Sequence, residues 1–66
     1  MSNLRLIQSK QYADRTVKVY YNHHLNEYTS QLYLRGYHQV DADYFTDSKV
    51  DALGTADAML RPDLDQ

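Results

Sequence analysis

The stretch Thr16-Val17-Lys18-Val19-Tyr20-Tyr21-Asn22 carries the alternation from which the rest of the fold can be read. Successive side chains of an extended strand point to opposite faces. Val17, Val19 and Tyr21 therefore fall on one side, and Thr16, Lys18 and Tyr20 on the other. The β-branched and aromatic content favours a strand over a helix here. A loop, His23-His24-Leu25-Asn26, follows, and alternation resumes from Tyr28 to Arg35 with Tyr28, Ser30, Leu32 and Leu34 on one side. Folding back through that four-residue loop sets Tyr21 against Tyr28, Val19 against Ser30 and Val17 against Leu32. A slip of one residue would turn a whole face over, so this apolar sorting fixes the pairing.

A third strand is expected from Tyr37 to Tyr44, with His38, Val40, Ala42 and Tyr44 on one side and Tyr37, Gln39, Asp41 and Asp43 on the other. An Arg35-Gly36 two-residue loop would pair Leu34 with Tyr37 and Leu32 with Gln39, and would place Ser30 opposite Asp41. A loop centred on Gly36 instead pairs Leu34 with His38, Leu32 with Val40, Ser30 with Ala42 and Tyr28 with Tyr44. The second register separates apolar from polar and is the one expected.

A helix begins near Thr46, where Thr46, Asp47 and Ser48 are all good N-caps and Ser48 with Asp51 has capping-box spacing. Val50, Leu53, Ala56 and Leu60 form its apolar stripe, with Met59 beside it. Gly54 costs the helix up to about 1 kcal/mol relative to alanine, a cost that close approach to the sheet would offset. Pro62 ends the helix at about Arg61. Leu4, Leu6 and Ile7 in the first segment form either a short extra strand or a tucked arm. The expected organisation is thus an arm or strand over 1–15, a βββα domain over 16–61 and a flexible tail over 62–66. The fold class is α+β, a three-stranded antiparallel sheet packed on one C-terminal helix.

Sixty-six residues of 7.8 kDa make one small domain with little room for a deep catalytic cleft. Leu, Ile, Val and Phe make up about a fifth of the chain, and seven tyrosines add large apolar bodies. The absence of cysteine excludes a disulfide scaffold, a thiolate zinc site and a cysteine nucleophile. No apolar run approaches the ~18 residues of a membrane span. No signal peptide opens the chain, so a cytoplasmic location with no membrane partner is expected. Residues 1–35 carry five cations against Asp14 and Glu27, a balance of +3, whereas residues 36–66 carry Lys49 and Arg61 against seven aspartates, a balance of −5. With no basic cluster, nucleic acid is disfavoured as a partner. The acidic half either contacts a basic surface or serves solubility.

One helix covers one side of the sheet, so the other must face solvent or a partner. The open side is expected to show the rows Tyr20–Thr29–Asp43, Lys18–Gln31–Asp41 and Thr16–Tyr33–Gln39, with Arg35 and Tyr37 at one end. Tyrosine and arginine are enriched at protein interfaces. The same tyrosines would also serve as cross-strand pairs in a thin sheet, or as a face for a homodimer. The expected partner-binding set is Lys18, Tyr20, Gln31, Tyr33, Arg35, Tyr37, Asp41, Asp43 and Asp47.

No catalytic residue, metal site or cofactor is expected. His23 and His24 are adjacent and diverge, and His38 lies at the far end of the sheet. The run Asp41-Ala42-Asp43-Tyr44-Phe45-Thr46-Asp47 fails the calcium-loop template at Phe45 and Thr46. Asp41 and Asp43 share a face and would pair as carboxylates, but no concave pocket accompanies them.

The order of three strands and a helix, from Val19-Tyr20-Tyr21 through Tyr44-Phe45-Thr46-Asp47 into an alanine-rich helix, resembles two DNA-binding architectures. They are the plant ethylene-response-factor domain and the arm-binding domain of tailed-phage integrases. Those domains read DNA with arginines and an aromatic on the open face, where this chain offers Lys18 and Arg35 opposed by Asp41 and Asp43. DNA binding is therefore not carried over. The run from Ala42 to Lys49, then Asp51-Ala52-Leu53 and Thr55-Ala56, resembles small proteins of phages and prophages. That group includes anti-CRISPR proteins, which inhibit host machinery stoichiometrically by covering a functional surface. The resemblance implies a non-catalytic inhibitor of a host nucleic-acid-processing or defence complex. The alternative is a small nucleic-acid-binding accessory protein using the open face.

Overall fold

The computed structural model describes residues 4–61. It contains β1 (Leu4–Tyr12), β2 (Arg15–Asn22), β3 (Glu27–Leu34), β4 (Tyr37–His38), a 3-10 turn (Val40–Ala42), β5 (Tyr44–Thr46) and α1 (Lys49–Leu60). The class is α+β, an antiparallel sheet against one C-terminal helix, with an N-terminal strand. Across the sheet the order is β1-β2-β3, and β4 and β5 both pair with the outer edge of β3. The segment 62–66, expected as a tail, lies outside the described residues.

The β2–β3 hairpin has the register its apolar side dictates, with Val17 opposite Leu32, Val19 opposite Ser30 and Tyr21 opposite Tyr28. Its loop is held by Asn22, whose Oδ1 accepts from the backbone N–H of His24 at 2.9 Å and of Leu25 at 3.2 Å. The N-terminal segment is a nine-residue strand that pairs along the length of β2. A bulge at Ile7 interrupts that ladder: Gln8 faces Val19, but Leu6 faces Tyr20 and Arg5 faces Tyr21. An unbroken ladder would put Leu6 beside Tyr21, on the helix side. The extra residue sends Leu6 to the open side and brings Arg5 to the helix side.

The third strand is not continuous, which corrects the expected register. Arg35 and Gly36 form a two-residue turn with φ of +52° and +86°. Positive φ at both central residues is the hairpin geometry that matches strand twist. Leu34 therefore pairs with Tyr37 and Tyr33 with His38. Continued, that register would drive Asp41 against buried Ser30. The chain instead leaves the ladder in the 3-10 turn and rejoins with Ser30 opposite Tyr44, Thr29 opposite Phe45 and Tyr28 opposite Thr46. The turn keeps its preferred geometry, and the break keeps Asp41 away from buried Ser30, which faces Tyr44 instead.

The core is Val17, Val19 and Leu32 against Ala52, Ala56 and Leu60, with Ile7, Leu34, Leu53 and Met59 packed around it. Val50 is 81% exposed and does not belong to the buried stripe, a second correction. Alanines at 52 and 56 let the helix backbone come close enough for the Ser30 hydroxyl to donate to the Ala52 carbonyl at 2.8 Å. Of the three candidate caps it is Ser48 that caps the helix, accepting from the Asp51 N–H at 3.2 Å as the capping-box spacing suggests. At the other end the Arg15 guanidinium donates to the Met59 carbonyl at 3.0 Å, a cation on the negative end of the helix dipole.

Gly54 plays no part in the close approach: a Cβ built there meets no atom within 4 Å outside its own helix segment, and the residue is exposed. Gly54→Ala therefore raises stability by up to about 1 kcal/mol and the thermal midpoint by about 5 °C, which thermal denaturation followed by circular dichroism will measure.

Tyr44 joins β5 to the helix by donating its hydroxyl to Asp51 Oδ2 at 2.6 Å. That hydrogen bond to a carboxylate, with desolvation and the Asp51 charge, raises the Tyr44 pKa from its ordinary 10.0. Folding favours the protonated phenol, so this contribution to stability is present below pH ~10 and is lost as pH rises through the folded value. In Asp51→Asn the Tyr44 phenol titrates lower than in the wild type, as a spectrophotometric or NMR titration will record.

Candidate interaction surface

The side of the sheet away from α1 is built from the non-core positions of β1, β2 and β3, completed by β4 and β5. At one end, register sets Leu6 of β1, Tyr20 of β2, Thr29 of β3 and Phe45 of β5 in a single row. Leu6 is 50% and Phe45 57% exposed, Tyr20 is half-buried, and Thr29 between the two aromatics is buried. Leu4 lies on the same side, paired with Asn22.

The other end is polar and tightly connected. The Lys18 ammonium stands 5.0 Å from the Tyr33 ring centroid, and the His38 ring stacks on Tyr33 at 5.1 Å and 25°. Exposed cation–π contacts of this kind contribute about 0.5–1 kcal/mol. The Tyr33 hydroxyl donates to Gln31 Oε1 at 2.9 Å, and His38 Nε2 meets Asp43 Oδ1 at 2.7 Å. Tyr33 is thus held on both sides and at its hydroxyl, a rigid aromatic whose position needs little ordering on binding.

Of the expected binding residues, Lys18, Tyr20, Gln31, Tyr33 and Asp43 are brought together on this side. Arg35 is not among them: it sits in the β3–β4 turn and ion-pairs with Asp14 of the β1–β2 turn at 3.3 Å. Tyr37, opposite Leu34, belongs to the helix side at the margin of the sheet, where it is exposed. Asp41 lies exposed on the 3-10 turn and Asp47 just beyond β5, so both line the β4–β5 edge. Asp43 is engaged with His38 rather than paired with Asp41.

Three surface residues escaped the sequence reading. His38 changes sides when the third strand breaks, Leu6 changes sides at the bulge, and Phe45 lies just past the expected end of the third strand. The Arg35-Gly36 pair was the available signal for His38. Among the described residues no group of three or more His, Cys, Asp or Glu side chains is placed to hold a metal ion, and no helix is long and apolar enough to cross a membrane.

No family model, curated protein or solved structure matches this chain.

Proposed function

We propose that this chain is a non-catalytic protein-binding module that docks the open side of its sheet onto a partner with a basic surface. The observation that carries the reading is the row Leu6–Tyr20–Thr29–Phe45, exposed at Leu6 and Phe45 and bounded by the Lys18–Tyr33–His38–Asp43 cluster. An apolar centre beside a polar, hydrogen-bonding margin is the anatomy of a protein interface. Asp41 and Asp47 along the adjoining edge supply negative charge for basic residues of the partner. On the phage-protein resemblance, that partner is a host nucleic-acid-processing or defence complex, whose phosphate-binding surface the module covers in the manner of anti-CRISPR proteins. Binding of nucleic acid itself is less well supported. The open side offers Lys18 as its cation, while Arg35 is committed to Asp14.

The test is affinity capture from bacterial lysate with the intact protein, with and without nuclease, beside Phe45→Asp and Val50→Asp. Val50, 81% exposed on the helix, reports on the opposite side of the molecule. The reading expects a protein retained by wild type and Val50→Asp, lost by Phe45→Asp and indifferent to nuclease. Recovery that vanishes with nuclease would replace it with the nucleic-acid reading. A fixed oligomer with no foreign protein would replace it with a homodimer.

A further inference from the structure

On the helix side, beyond the first turn of α1, the sheet ends in a hollow of about 500 Å³. Register makes its floor: Arg5, Tyr21 and Tyr28 stand side by side across β1, β2 and β3. Leu6 and Ile7 at the bulge, His23 of the β2–β3 loop and Lys49 at the start of the helix complete its lining. Among the described residues no carboxylate lines the hollow, and neither Arg5 nor Lys49 has an ion-pair partner. In a chain of net charge −2, two uncompensated cations converge on one concavity. The rings below them are fixed: Tyr21 and Tyr28 lie 4.8 Å apart, His23 meets Tyr21 edge-on at 4.7 Å, and the Tyr21 hydroxyl donates to Asn26 at 2.7 Å.

The bulge at Ile7 makes this arrangement. In an unbroken β1–β2 ladder Leu6 would lie beside Tyr21 and Arg5 would face away from the helix, leaving an apolar floor. The inserted residue exchanges them. Re-aiming a side chain at a site is what strand bulges commonly do.

We infer that the hollow binds a small phosphate ester carrying a flat ring, the class of nucleoside monophosphates. Arg5 offers a planar fork of donors suited to phosphate oxygens and Lys49 a second, flexible cation. The tyrosine pair and Ile7 offer the base a flat, largely apolar wall. The volume is that of a small-ligand site. Neither half of the ligand suffices without the other: an exposed cation pair holds free phosphate weakly in water, and the open wall buries too little of a bare nucleoside. Leu6 borders both this hollow and the docking row, but the cations and rings that define the hollow lie on the helix side of the sheet, so the assignment does not depend on the docking reading.

The test titrates the intact, isotope-labelled protein by NMR with adenosine monophosphate, adenosine and inorganic phosphate. Arg5→Gln, Lys49→Gln and Lys10→Gln are compared with wild type. Lys10 is exposed on the same strand but opposite Val17, away from the hollow, so it controls for the loss of one charge. All three substitutions are at exposed positions, and retained thermal midpoints verify folding. The expected result is saturable binding of the nucleotide with shifts centred on Tyr21, His23 and Tyr28. It is weakened about tenfold by Arg5→Gln or Lys49→Gln and changed by less than about twofold by Lys10→Gln. Adenosine and phosphate each bind about tenfold or more weakly than the nucleotide. No saturable binding, equal losses in Lys10→Gln, or phosphate or adenosine binding as tightly as the nucleotide would each overturn the assignment.

Discussion

Ala52→Leu abolishes the cooperative fold at ambient temperature, the largest single effect expected in the molecule. Ala52 has no solvent exposure, and its carbonyl receives the buried Ser30 hydroxyl at 2.8 Å, so helix and sheet are in contact there. A leucine side chain must push the helix off the sheet or be forced from its rotamers. Overpacking of a core costs about 1–3 kcal/mol, and more where the backbone cannot move. Here the shift would also break the Ser30 bond and leave a buried hydroxyl unpaired, about 1–3 kcal/mol further. A domain of this size rarely has more than about 3–5 kcal/mol to lose. Urea denaturation of wild type, Ala52→Leu and the milder Ser30→Ala resolves the two parts. Ser30→Ala removes the hydroxyl without overpacking and costs about 1 kcal/mol. A cooperative transition of near wild-type midpoint in Ala52→Leu would mean that the helix is not seated on Ser30.

Phe45→Asp leaves folding nearly intact but weakens partner binding by roughly 30-fold or more, ~2 kcal/mol. The ring is 57% exposed on a three-residue edge strand, so its replacement removes little core. At an interface centred on the Leu6–Tyr20–Thr29–Phe45 row, the same change deletes an aromatic anchor and buries an unpaired carboxylate. A rim substitution such as Asp41→Asn lowers the association rate and its salt dependence with a much smaller loss of affinity. Surface plasmon resonance on the captured partner separates these outcomes. Equal losses for Phe45→Asp and Val50→Asp would show that the surface is wrongly placed.

How far this could be read from the residues depends on which interactions are local. The alternation at 16–22 and 28–34 has one apolar side per strand, so a single register satisfies it, and Val17, Val19 and Leu32 are in the core as expected. Ser48 is legible because capping is decided within one helical turn. The third strand resisted because two requirements compete along it. Arg35-Gly36 prefers the tight turn, whereas buried Ser30 cannot take the Asp41 that this turn's register would bring, and a change of register through a 3-10 turn resolves the conflict. A period-of-two argument admits one register per strand and cannot contain that solution. Val50 was misplaced because size favoured it over Ala52, whereas close packing against Ser30 selects the small residue. The candidate surface was half legible for the same reasons. Lys18, Gln31 and Tyr33 follow from the β2–β3 register, while Leu6 and His38 depend on a bulge and a strand break with no alternation to announce them.

The most direct test of the docking surface is an NMR titration of the isotope-labelled protein with the purified, nuclease-treated partner. The account predicts that resonances of Leu6, Tyr20, Tyr33 and Phe45 shift or broaden together while those of Val50 and Ala58 on the exposed side of the helix stay in place. Perturbation confined to the helix, with the open side of the sheet unchanged, would contradict it.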